Sequence, residues 1–302
     1  MFAALLTMLF FSLSAVSGRR LSDLLPGTRA NFSRLIIATL LVGAWSHLHG
    51  FGVGGPAFWI LFVSGCVGFG IGDLALFQAY PRIGTRRTMV LVQCLAAPFA
   101  ALIEWAWLGH APTWSEALCG VVILVGVGVA LLPGKDETQP ASGLIAGTLF
   151  GLLAALCQAW GAVLSRKAYA VSAAHGFVIA GASGGVNAAY QRLLGGLLVS
   201  GIFFAYLECA RKLSATEGRP SHWRAAWPWI VANGIFGPSL GVTCYQWALS
   251  VEKTSVVLPI VATTPLMVMP FTRLLEGERF TTRAIVGGVL AVGGVVGLTL
   301  WR

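Results

Sequence analysis

Apolar runs long enough to cross a bilayer recur along the whole of this chain, and no polar stretch between them is large enough to make a soluble domain. A helix needs about 20 apolar residues to span the hydrocarbon core. Runs of that kind fall near 2–18, 33–49, 57–80, 87–108 and 114–132, then near 145–167, 184–207, 227–250, 254–275 and 281–301. Only 10% of the residues are charged and 57% are hydrophobic, whereas soluble domains carry about a quarter charged residues. The expected fold class is therefore an all-α membrane protein with ten transmembrane helices. Glycine and proline inside the spans do not argue against this, because membrane helices pack on small residues and neighbours satisfy freed backbone groups.

The first run needs separating from a signal peptide, since Met1 to Val16 is short and is followed by Ser17 and Gly18. A signal peptide carries its positive charges before the apolar core. Here they follow it, at Arg19 and Arg20, so the run is read as a first spanning helix. The net charge of +9 would point to nucleic acid in a soluble protein. In this chain the basic residues are assigned to short connections, where they set topology and meet lipid headgroups, so the bilayer is the expected partner and nucleic acid is not. Fifteen of the 20 Lys and Arg residues fall on one set of connections, which places both termini outside. Cys66, Cys94, Cys119, Cys157, Cys209 and Cys244 are scattered singly, and the five histidines show no ligand spacing. No metal or other cofactor is expected.

The chain is a duplication. The polar linker PGKDETQPAS, residues 133–142, divides it into a first unit, 1–132, and a second, 143–302, with five spans each. Arg34 in NFSRL matches Arg192 in AYQRL, 158 positions on; Gly65 and Gly68 match Gly234 and Gly237, 169 positions on; Pro98 matches Pro265. Gly109 to Leu131 then aligns with Gly277 onward at an offset of 168. An odd number of spans per unit forces the second to insert upside down, and inverted repeats of this kind are a hallmark of secondary transporters, with the solute bound near the midplane between them.

Asp73 lies inside the third span, among glycines and apolar residues, and its matching position in the second unit is Val242. An ionisable group at membrane depth is expensive and marks a functional site by default. A feature common to both units serves the scaffold, while an unmatched acid is a candidate for proton coupling or for a cationic group of the solute.

These features together resemble the ten-helix drug/metabolite transporters, the EamA-type family. The resemblance rests on GDLALFQAYPRIGTRR, residues 72–87, on Pro98 and Pro265, on the Gly277-Glu278 pair, and on the glycine-rich fifth spans of each unit. It covers essentially the whole chain. The first unit departs from the pattern, with Gly109-His110 where the family carries Gly-Glu, and many members are drawn with both termini in the cytoplasm. The resemblance implies a central cavity lined by spans 1, 3, 4, 6, 8 and 9. Polar and aromatic residues inside those spans are Asp73, Gln78, Gln93, Gln158, Trp160, Asn233, Tyr245, Gln246, Thr263 and Thr264. The first nine are the expected solute-binding residues, and Asp73 is also the expected proton site.

The expected function is that of a secondary transporter, not an enzyme, moving a metabolite, amino acid or drug-like compound by alternating access, with export implied by the resemblance. The expected location is the bacterial inner (plasma) membrane, as a monomer or homodimer. The alternative is a nucleotide-sugar or lipid-linked-solute carrier of the same fold, for which a basic cavity would speak; the arginines are placed at the periphery by sequence. A third reading takes Gly181-Ala182-Ser183-Gly184 as the motif of an intramembrane serine protease with Ser183 as nucleophile. That chemistry needs a histidine on another helix, and His175 and His222 are poorly placed for it. Residues 50–55 satisfy GxGxxG, yet join two spans and lack the strand and acid of a dinucleotide site. No Walker sequence is present, so ATP drive would need another subunit.

Overall fold

The computed structural model describes residues 1–108, 113–131, 141–213, 222–251, 257, 260–275 and 282–300. Gly109-His110, Gly277-Glu278 and the linker up to Pro140 lie outside the described residues. The described chain is helical with no strand among its residues. In order, the elements are α1 (Phe2–Leu24), α2 (Gly27–His49), α3 (Phe58–Gly65), a π-helical segment π1 (Cys66–Gly72), α4 (Asp73–Leu108) and α5 (Trp114–Leu131). The second half holds α6 (Ala141–Ala174), α7 (Gly181–Leu213), α8 (Trp223–Gly234), a second π-helical segment π2 (Ile235–Gly241), α9 (Val242–Val251), α10 (Thr264–Leu275) and α11 (Thr282–Leu300).

Among the described residues, four stretches are long and apolar enough to cross a membrane: Phe2–Leu24, Phe58–Trp107, Gly143–Ala174 and Gly181–Ala210. The second contains two spans of the sequence reading. Gly84, at φ 78° and ψ 165°, breaks α4, a conformation open to glycine and closed to most L-residues. The basic stretch around this break, between two spans of the sequence reading, is not a surface loop: Arg86 and Arg87 are buried, and Arg82 lies over the Phe150 ring at 5.1 Å. Large apolar side chains face outward instead, among them Leu40, Leu118, Leu124, Leu149, Ile202 and Val289. An apolar exterior around buried arginines suits a lipid solvent.

Small residues set how closely the helices meet. The buried positions of α1 include Ala3, Ala4, Ser12, Ala15, Ser17, Gly18 and Ser22, which lets it pack against α4, α8, π2, α9 and α10. Its hydroxyls do not demand outside partners, because Thr7, Ser12, Ser17 and Ser22 donate to the carbonyls four residues back at 2.8 to 2.9 Å. A Cβ on Gly65 would land on the Arg192 carbonyl, and one on Gly195 on the Phe62 carbonyl, so α3 and α7 touch backbone to backbone. The turn at 50–55 is fastened to α7: Asn187 Oδ1 accepts from the Phe51 and Gly52 amides, and Gln191 Nε2 donates to the Gly52 and Gly54 carbonyls.

Among glycines spaced four apart, Gly147 and Gly151 meet α4, and Gly237 and Gly241 meet α1. Gly293 meets nothing within 4 Å; the α5–α11 contact is made by Gly126, Gly287 and Gly294. The periodicity of a glycine-rich helix offers several equivalent faces, and only the neighbour selects one. A Cβ on Gly126 would stand 2.8 Å from the Ala291 Cα, while Gly128 faces open space. Gly126→Val is expected to destabilise the fold by about 1–3 kcal/mol through overpacking and Gly128→Ala to change it by less than about 0.5 kcal/mol. Melting curves of the two purified variants in detergent check this, and equal melting would contradict the assigned contact.

Candidate functional site

The second turn of α2 carries Asn31 and Arg34 on its buried face. Arg34 is 4% exposed, and its guanidinium is fully engaged. Nε donates to Asn31 Oδ1 at 3.0 Å, Nη1 to Asn233 Oδ1 at 3.1 Å, and Nη2 forms an ion pair with Asp73 Oδ2. The cation also lies 4.8 Å above the Phe77 ring. Its partners are themselves held. Asn31 Nδ2 donates to the Phe69 carbonyl and to Ser200, and Asn233 Nδ2 to the Ser14 carbonyl and to Ser17. One guanidinium thus ties α1, α2, π1, α4, α7 and α8 together.

The second unit repeats the arrangement around Arg192 on α7, which is 7% exposed and 5.1 Å from the Phe69 ring. A Cβ on Gly68 would stand 3.1 Å from Arg192 Nη2, and one on the matching Gly237 3.4 Å from Arg34 Nη1. Gly234 approaches the Arg34 carbonyl as Gly65 approaches that of Arg192. The segments π1 and π2 occupy matching positions, each ending where the site begins, at Asp73 and at Val242. Short π-helical stretches inside α-helices are frequent at functional sites.

Both arginines border a cavity of about 100 Å³ between the two halves. Its polar lining includes Asp73, Ser14, Gln93, Gln158 and Tyr245; Phe11, Phe69, Leu76, Tyr80, Met89 and Val242 make most of the rest. Gln158 Nε2 donates to Gln93 Oε1 at 2.9 Å across α4 and α6. A smaller cavity of about 30 Å³ shares Gln93, Gln158, Ala162 and Tyr245 and extends to Arg166.

Of the residues singled out by sequence, Asp73, Gln93, Gln158 and Tyr245 line this cavity. Asn233 stands one bond away, through Arg34. The other four lie elsewhere. Gln78 accepts from its helical neighbour Arg82 at 2.7 Å. Trp160 is 37% exposed and packs on Trp107. Gln246 is buried between Tyr169 and Ser165, and Thr263 bonds the Ile260 carbonyl at 2.6 Å, as Thr264 bonds that of Val261. Ser183 sits exposed at the start of α7, while His175 Nδ1 meets the Val171 carbonyl and His47 meets the Tyr190 hydroxyl.

The assignment of the arginines to the periphery is corrected. Arg34, Arg86, Arg87 and Arg192 are all buried, so the sidedness count loses those four charges. Arg29 also does more than mark topology, since it makes a two-pronged ion pair with Glu208 of α7 at 2.7 Å. The signal for Arg34 and Arg192 was in the sequence, where they match each other within the second span of each unit.

A model of the EamA-like transporter family matches residues 1–132 and 145–300. One solved structure, described only as "Crystal structure of protein", is similar at TM-score 0.65 and 18% identity, covering 99% of this chain and 95% of its own. That likeness concerns the fold. Comparison with curated proteins gave no match.

Removing one member of a buried ion pair leaves an uncompensated charge and costs about 3–5 kcal/mol, whereas replacing both by apolar groups is often neutral. Arg34→Leu is therefore expected to lower the melting temperature sharply, and the double variant Arg34→Leu, Asp73→Leu to recover most of it. A double variant as unstable as the single one would show that the Asn31 and Asn233 contacts, not the ion pair, dominate.

Proposed function

Because the chain belongs to the EamA-like transporter family, a family of membrane transporters of small solutes, we propose that it is a secondary carrier working by alternating access between two inverted five-helix units. The observation that carries this reading is the ionised cluster of Arg34, Asp73 and Arg192 beside a cavity enclosed by helices of both units. Charges at membrane depth are retained where they face a solute or ion path. The matched contacts of Gly65 and Gly234 with the arginine-bearing helices support the duplication, and an odd number of spans in each unit supports its inversion. The units 1–132 and 143–302 are then the two moving bodies, in contact with each other through α5 and α11 among other helices. The proposed location is the bacterial inner membrane and the proposed direction export. No catalytic step is assigned.

Asp73, Gln93, Gln158 and Tyr245 are proposed to contact the solute, with Asn233 fixing Arg34 behind them. Asp73 has a second proposed role. Protonation would free Arg34 from its ion pair, loosening the tie between α2 and α4, and a proton could in that way be exchanged for passage of the solute. The basic lining supports an anionic solute, as the nucleotide-sugar alternative would also require, but a cavity of about 100 Å³ favours something much smaller.

Transport in proteoliposomes across a pH series, with a panel of metabolite classes, tests this. Asp73→Asn keeps the shape of the acid and loses its charge, so it is expected to cut transport by about tenfold or more and to flatten its dependence on pH. Unchanged transport with unchanged pH dependence in that variant would remove Asp73 from the mechanism.

A further inference from the structure

The duplication kept the arginine in both units and removed its protein acceptors in one. Arg34 Nε is met by Asn31; the matching residue beside Arg192 is Ala189. Arg34 Nη1 is met by Asn233; the match is Ser64, whose hydroxyl donates instead to the Gly161 carbonyl at 2.7 Å. Arg34 Nη2 is met by Asp73; the match is Val242, which lines the cavity. Each of the three replacements takes an acceptor away from Arg192. Its Nε accordingly has no hydrogen-bond partner among the described residues, though the side chain is 7% exposed and borders the cavity.

We infer that Arg192 binds the carboxylate of the transported solute, a small monocarboxylate with an apolar body. The inference rests on the transporter reading and names its solute class. A buried guanidinium Nε without an acceptor is costly, and a ligand carboxylate can take two parallel N–H···O bonds from Nε and a neighbouring Nη in the geometry a guanidinium presents. Charge fixes the number of carboxylates. The ionised residues lining the cavity are Arg34, Arg192 and Asp73, leaving one positive charge to be balanced. A monoanion balances it and a doubly charged phosphate does not. Room for the guanidinium comes from Gly161 and Gly68, where a Cβ would stand 3.0 and 3.1 Å from Nη2. The aromatic and aliphatic lining accepts the apolar body.

The test uses purified full-length protein and a probe series from isovalerate to phenylacetate, each with its amine and primary amide, and inorganic phosphate as a competitor. Binding is read by thermal shift and equilibrium dialysis, and uptake in proteoliposomes. Carboxylates are expected to bind, and amines and amides to bind at least about tenfold more weakly, the discrimination expected where a buried polar group would be left unpaired. Arg192→Gln should lose carboxylate binding and Arg192→Lys should retain part of it. Val242→Asp, which supplies Arg192 with the acceptor that Asp73 gives Arg34, should lose binding while Arg192 is intact, separating ligand recognition from a folding defect. Preference for amines or phosphate, absence of carboxylate binding, or carboxylate binding indifferent to Arg192→Gln and Val242→Asp would each overturn the inference and leave the carrier reading standing if any solute is moved. Arg192-dependent binding without uptake of any probe would uphold the site and count against the carrier reading.

Discussion

A guanidinium held away from water must be given hydrogen-bond acceptors or an opposing charge, and this requirement organises the centre of the molecule. Arg34 finds three acceptors on three different elements, and two of them, Asn31 and Asn233, are anchored by further helices. No single contact in that set holds α2, α4 and α8 in place. The set does so because leaving any one donor unmet inside an apolar medium costs as much as a lost hydrogen bond or more. The ion pair itself contributes less through attraction than through the penalty for separating its members.

The scaffold around the network is close to symmetric and the network is not. Gly65 and Gly234, Gly68 and Gly237, π1 and π2 occupy matching places and make matching contacts with Arg192 and Arg34. Glycine lets the backbone of one helix rest close on the backbone or guanidinium of the next, and at Gly65 a Cβ would land on the Arg192 carbonyl. Within that common frame, Asn31, Asp73 and Asn233 have become Ala189, Val242 and Ser64. Two arginines in equivalent settings, both bordering the cavity, therefore differ in their partners: Arg34 has an acceptor on each guanidinium nitrogen, and Arg192 Nε has none among the described residues.

Much of this was present in the sequence. Spans of about 20 apolar residues, low charge and Asp73 inside one span mark a helical membrane protein with an acid among its apolar residues, because bilayer thickness and the cost of buried charge act on segments one at a time. Polarity within a span pointed to Gln93, Gln158 and Tyr245, which line the cavity, and equally to Gln78, Trp160, Gln246 and Thr263, which do not line it, since a polar residue on a membrane helix can face a cavity, a neighbouring helix or the headgroups, and position along the chain does not choose among them. The tertiary structure decided which face of each helix turns inward. It placed Arg34 and Arg192 beside the cavity rather than in loops, gave the first all its acceptors and the second almost none, and did so because hydrogen-bond satisfaction depends on groups from helices distant in sequence meeting within about 3 Å.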